Sequence, residues 1–214
     1  MSRRVNYAIR FAIAAIAGII LFCFGIKGVV TGILPSTDLY DTDWTTLKSG
    51  QHIEVYLDFV LEPFEITTDT KNNNDVSAIY TVPDLQISDT DGRIYMTHFI
   101  GVRANARDFS VYDKIVDASW KWWEDTSGST EFGDSGFKYI NGSLKKMSSK
   151  ERGFLESYLK DAGYTNEEIN EMIIPYVLVE NGSFGRNIGF VGAGALMTIL
   201  FGIISVVLFM KREQ

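Results

Sequence analysis

Apolar positions along the chain fall into three regimes. Phe11 to Ile26 carries no charge, and the apolar character resumes after Lys27 as far as Leu34. Near the other end, Ile188 to Met210 is uncharged throughout, and Lys211 and Arg212 follow at once. A hydrocarbon core of about 30 Å takes about 20 helical residues. Both runs therefore predict membrane-spanning helices, over 8–34 and 186–210, with a buried core helix of a soluble domain as the alternative for each. Arg10 and Lys27, near the ends of the first run, are placed to snorkel their charges to the interfaces.

Between the runs the period changes. Ile53, Val55, Leu57 and Phe59 alternate with His52, Glu54, Tyr56 and Asp58, which predicts a half-buried strand after a turn at Lys48-Ser49-Gly50. Glu62-Pro63 interrupts the run and Phe64-Glu65-Ile66 resumes it. Val76 to Val82 and Leu85 to Ile87 read as a strand broken at Pro83. Asp89-Thr90-Asp91-Gly92 then turns into a strand over 94–104. That turn partly resembles a calcium loop, but Ile87 and His98 stand where such a loop needs oxygen ligands.

Asp108 is expected to cap a helix reaching about Glu124, with Phe109, Tyr112, Val116, Trp120 and Trp123 on its apolar face and Trp122 on the other. Residues 125–136 read as a polar loop, and 137–147 as a strand or a hairpin turning at Asn141-Gly142. Ser148-x-x-Glu151 and Thr165-x-x-Glu168 are capping boxes opening two further helices. Gly163 suits the end of the first, and Pro175 a stop for the second. Tyr176 to Val179 reads as a closing strand. The expectation is an α+β domain of four to six mostly antiparallel strands and about three helices, as a small sheet or partly open barrel.

Charge adds an orientation. The chain of 214 residues carries a net charge of −7, but residues outside 34–185 hold seven basic side chains against one acidic. The middle holds 13 basic and 26 acidic side chains. Basic residues concentrate on the cytoplasmic side of membrane proteins. Arg3 and Arg4 before the first span, with Lys211 and Arg212 after the second, therefore place both tails, 1–7 and 211–214, in the cytoplasm. The acidic domain, 35–185, then lies outside the cell membrane. A cleaved signal peptide is the rival for the first span, with Val30-Thr31-Gly32 a poor cleavage site. The single cysteine, Cys23, sits inside that span, so the exterior domain has no internal disulfide. This favours a bacterial envelope.

Small residues recur four apart in the spans: Ala14 and Gly18, Gly28 and Gly32, then Gly194, Thr198 and Gly202. Such spacing gives a helix face that packs closely, within the chain or in a homodimer. The charge distribution argues against nucleic acid as a partner. Lipid and another membrane or envelope protein are the expected ones.

Enzyme signatures are few. There is no nucleophile elbow, no HExxH and no phosphate-cradling glycine loop, and nothing in the pattern calls for a metal or cofactor. His52 and His98 both fall on expected strands. Trp44 and Trp122 are the candidates for ligand or partner contact, core packing being the commoner use of such rings.

Leu47-Lys-Ser-Gly50, Ile53-Glu-Val-Tyr-Leu57, Ala78-Ile-Tyr80 and Tyr95, set between two spans with basic tails, are similar to uncharacterised two-pass membrane proteins of Gram-positive bacteria. The resemblance implies a small β-rich exterior domain and carries over no catalytic residue. The leading expectation is a non-enzymatic protein presenting an acidic interaction or sensing domain outside the membrane. The alternatives are an envelope hydrolase or glycan-binding protein with an acidic, Trp-containing cleft, and an accessory subunit of a transport complex.

Overall fold

The computed structural model describes residues 3–33, 35–90, 92–125, 136–181 and 184–210. The chain order is α1 (Arg3–Ile33), β1 (Thr37–Asp38), β2 (His52–Leu57), β3 (Leu61–Asp69), β4 (Asn74–Ile87), β5 (Ile94–Asn105), α2 (Phe109–Glu124), β6 (Lys138–Lys146), α3 (Ser149–Asp161), α4 (Asn166–Met172), β7 (Ile173–Glu180) and α5 (Phe184–Met210). The chain forms two compact units, residues 1–34 with 181–214, and residues 35–180.

The first unit is the pair α1 and α5. Both are long and apolar enough to cross a membrane, over Asn6–Val30 and Asn187–Met210. Ala8, Gly18 and Gly25 are buried on α1, and Asn187, Gly194 and Ser205 on α5. Their separations, 10 and 7 on α1 and 7 and 11 on α5, approximate multiples of 3.5, the repeat that keeps one seam of a helix facing its partner. Backbones touch there: a Cβ on Gly18 would fall 2.8 Å from the Gly194 carbonyl oxygen, and one on Gly194 would fall 2.5 Å from the Phe22 nitrogen. Thr198 and Ser205 turn their hydroxyls to backbone carbonyls, Ser205 donating to Ala8 across the pair at 3.1 Å.

The small residues expected on one packing face fall at different places along the pair. Gly18, Gly28, Gly194 and Thr198 lie on the seam, Ala14 is half-buried beside it, and nothing stands within 4 Å of a Cβ on Gly202. Gly25, four residues before no small partner, belongs to it as well; its Cβ would meet the Asn187 carbonyl oxygen at 2.7 Å. The packing of Gly32, the side chains of Arg3 and Arg4, and residues 211–214, with Lys211 and Arg212, lie outside what is described.

The second unit is an open, mixed sheet of seven strands in the order β1-β2-β6-β7-β5-β4-β3. The pairs β1·β2 and β5·β7 are parallel and the other four antiparallel. β2 and β3 are joined by three residues, Asp58 to Val60, yet stand five strand positions apart. Leu57 to Leu61 reaches at most ~14 Å along the chain, whereas five flat strand intervals would span ~24 Å. The sheet is therefore strongly curled. Ser119 of α2 ties the crossing down by donating to the Ile115 carbonyl and accepting from the Val60 N–H at 3.0 Å.

Alternation along the strands feeds two cores. Ile53, Val55, Leu57, Tyr80, Val82, Ile100, Val102 and Leu178 pack inside the curl with Tyr112 and Ile115 of α2. Ile79, Phe99 and Val177 face the other way, against Leu155 and Leu159 of α3 and Ile169 of α4. Residues 78–83 of β4 are buried without a break because both faces of that strand are covered.

Several expectations change. There are seven strands, more than the four to six expected. β4 runs unbroken through Pro83, since β3 stops pairing at Thr81 and the missing donor falls where β4 has no neighbour on that side. Asn141-Gly142 makes no turn. Gly142 sits in mid-β6, where a Cβ would strike the Val179 carbonyl oxygen at 2.6 Å. β7 closes nothing; it is the central strand, and Pro175 lies inside it near the register shift against β5. Phe59 leaves the alternation of β2 and joins the second core. Both capping boxes form, and Gly163 takes φ +99° just past α3, where a side chain would be strained.

Candidate functional site

At one mouth of the curl the Asp58–Val60 crossing meets the far end of β4 and the loop after β1. A cleft of about 270 Å³ opens there, lined by Tyr40, Asp58, Phe59, Asp84, Leu85 and Gln86 among others. The mouth of a curled sheet is a common place for ligands because strand ends present side chains that the core does not use. Each residue arrives for a local reason. Asp58 stands where β2 ends and the chain must cross to β3. Asp84 lies beyond the part of β4 that β3 covers, at a shift in register against β5. Tyr40 is fixed by Asp38, whose carboxylate accepts the Tyr40 N–H at 2.9 Å.

The electrostatics are one-sided. Burial holds the Asp58 carboxyl above its ordinary value, partly offset by a bond from its own backbone N–H. Although the Tyr40 side chain is 45% exposed, desolvation of its phenol against the cleft wall, and then the negative fields of Asp58, Asp38 and Asp84, hold it above its ordinary value. Asp84 accepts from the Thr97 hydroxyl at 2.9 Å and faces His98 Nδ1 at 3.3 Å. Gln86 donates to the same carboxylate at 3.0 Å. Beside an apolar wall of Phe59 and Leu85, the cleft thus offers carboxylates and a neutral phenol, a set suited to holding a positively charged group.

Neither expected aromatic lines this cleft. Trp44 is 2% exposed, packs inside the curl, and donates Nε1 to the Leu39 carbonyl at 2.9 Å. Trp122 is half-buried and meets Phe59 edge-on, ring centres 5.7 Å apart. The roles expected along α2 are reversed at its end, for Trp123 is the exposed ring. Asp108 precedes α2 without capping it; Lys138 and Arg107 occupy its carboxylate instead, and against the opposing effect of burial they hold it below its ordinary value. The structure brings His98 to an acid, whereas His52 lies 2.8 Å from Asn141 on the neighbouring strand.

A family model described as a domain of unknown function, DUF8577, matches residues 2–211, both apolar helices and the whole sheet included. The chain belongs to this family. No curated protein and no solved structure matches it.

Membership in the DUF8577 family assigns no activity, so the mouth cleft rests on its geometry. Sequence pattern alone missed it, because Asp58 read as one more solvent-facing position of a strand. The available signal was its isolation: a single charge within the apolar run Leu57-Asp-Phe-Val-Leu61.

Proposed function

We propose that this is a two-pass protein of the cell envelope of a Gram-positive bacterium, with both tails cytoplasmic and residues 35–185 outside. Its exterior domain is an interaction module without catalytic activity. The mouth cleft receives a positively charged side chain, lysine or arginine, from a partner envelope protein. The observation that carries this reading is the convergence of Asp58, Asp84 and Tyr40 on one open cleft, in a segment holding 26 acidic side chains. A carboxylate kept above its ordinary value by burial gains most from an incoming cation, which offsets the cost of its desolvated charge.

Two measurements test it. In full-length protein with Cys23→Ser, a cysteine replacing the exposed Asn72 should react with an impermeant thiol reagent on intact cells, and one in either tail should not. The reverse pattern ends the topology. Purified full-length protein should bind a short oligolysine peptide in low salt, with Asp84→Asn weakening it about tenfold, while an oligoglutamate peptide does not bind. Equal binding of both peptides would remove the cleft from the proposal.

A further inference from the structure

A second cavity, of about 180 Å³, lies between the end of α2, α3 and the β3 edge of the sheet. Five aromatic rings line it: Phe99 from β5, Trp120 and Trp123 from α2, Tyr158 from α3, and Tyr164 just after that helix. A carboxylate stands behind two of them. Glu62 accepts from Trp120 Nε1 at 2.6 Å and from the Tyr158 hydroxyl at 2.9 Å. Burial first, and then this bond, hold the Tyr158 phenol above its ordinary value, so it remains a donor.

These features select one kind of guest. A ring whose N–H or O–H is given to an anion is polarised toward greater electron density, which strengthens the attraction of its face for a cation. Both oxygens of Glu62 are already engaged by ring donors, and no ion pair neutralises it among the described residues. A primary ammonium entering this aromatic space would give up strong hydration for few protein acceptors, since each Glu62 oxygen already accepts a ring donor. An alkylated ammonium has less of that hydration to lose, and its charge spreads over methyl groups that fit against ring faces. The volume admits a group of a few heavy atoms. We infer that this aromatic cage binds a quaternary or methylated ammonium group, independently of the acidic mouth.

The test uses full-length protein in a maltoside detergent and saturation-transfer NMR on the ligand methyl protons. Tetramethylammonium and choline should bind saturably, and the neutral isostere 3,3-dimethylbutanol at least about tenfold more weakly. Trp123, 38% exposed, can be removed without opening the core. Trp123→Ala should therefore lower cation affinity about tenfold with little change in Tm. Glu62→Gln should weaken choline while leaving the neutral isostere unaffected, a selectivity that loss of folding does not produce. Equal binding of isostere and cation, no saturation by about 100 mM tetramethylammonium, or an unchanged affinity in Trp123→Ala would overturn the inference. Two further arms identify the source. If the group belongs to a lipid headgroup, phosphatidylcholine nanodiscs should abolish choline binding that phosphatidylglycerol nanodiscs retain. If it is a free solute, both should leave choline binding intact.

Discussion

Asp58 and Gly142 show how a single position can be set by function or by packing. Asp58 is ionised less readily in the fold than the ordinary value of 3.8 for an unfolded aspartate. Folding is therefore penalised once pH rises past about 4, and the penalty is absent at lower pH, where both states are protonated. Asp58→Asn should raise Tm at neutral pH and lose that gain in acid. The effect should stay below ~1 kcal/mol because solvent entering the cleft screens the charge. Thermal melts at several pH values check the sign. Gly142 is the opposite case, held by backbone: its missing Cβ would meet the Val179 carbonyl oxygen at 2.6 Å. A central strand cannot move aside, so Gly142→Ala should cost about 1–3 kcal/mol in chemical denaturation.

Elements were legible where they carry their own punctuation. The capping boxes at Ser148 and Thr165 and the Gly92 turn needed only local chemistry, and all three form. Both apolar helices were legible from length. Strand limits failed where a distant neighbour decides them. Pro83 breaks a strand only if both sides are paired, and Asn141-Gly142 turns only if no partner fills the space beside it. The pairings β2·β6 and β5·β7 link segments far apart in the chain, so no local window contains them. The mouth cleft was hidden for the same reason, since Tyr40, Asp58 and Asp84 meet only after the sheet curls. The helix pair yields a contrast that spacing alone does not. Gly194→Leu should separate α1 from α5, whereas Gly202→Leu, with open space around it, should be tolerated. Disulfide formation between cysteines at positions 15 and 198, beside the Ala15–Thr198 contact, reports the difference.

At the scale of the molecule, both cores of the sheet unit draw on residues 39–178 and none on the apolar helices. Residues 35–180, expressed alone, should therefore give a soluble, cooperatively melting domain with a Tm within a few degrees of the full chain in detergent. A molten product without a transition would contradict that independence. The place of β7 bears on how the chain is made. It is the last of the seven described strands in chain order, yet it joins β1-β2-β6 to β5-β4-β3. Until it is delivered, the nascent polypeptide has two half-sheets with open edges and nothing to zip them. The sheet consequently stays unfinished for nearly the whole of its synthesis, and its two halves close only once β7 has been made.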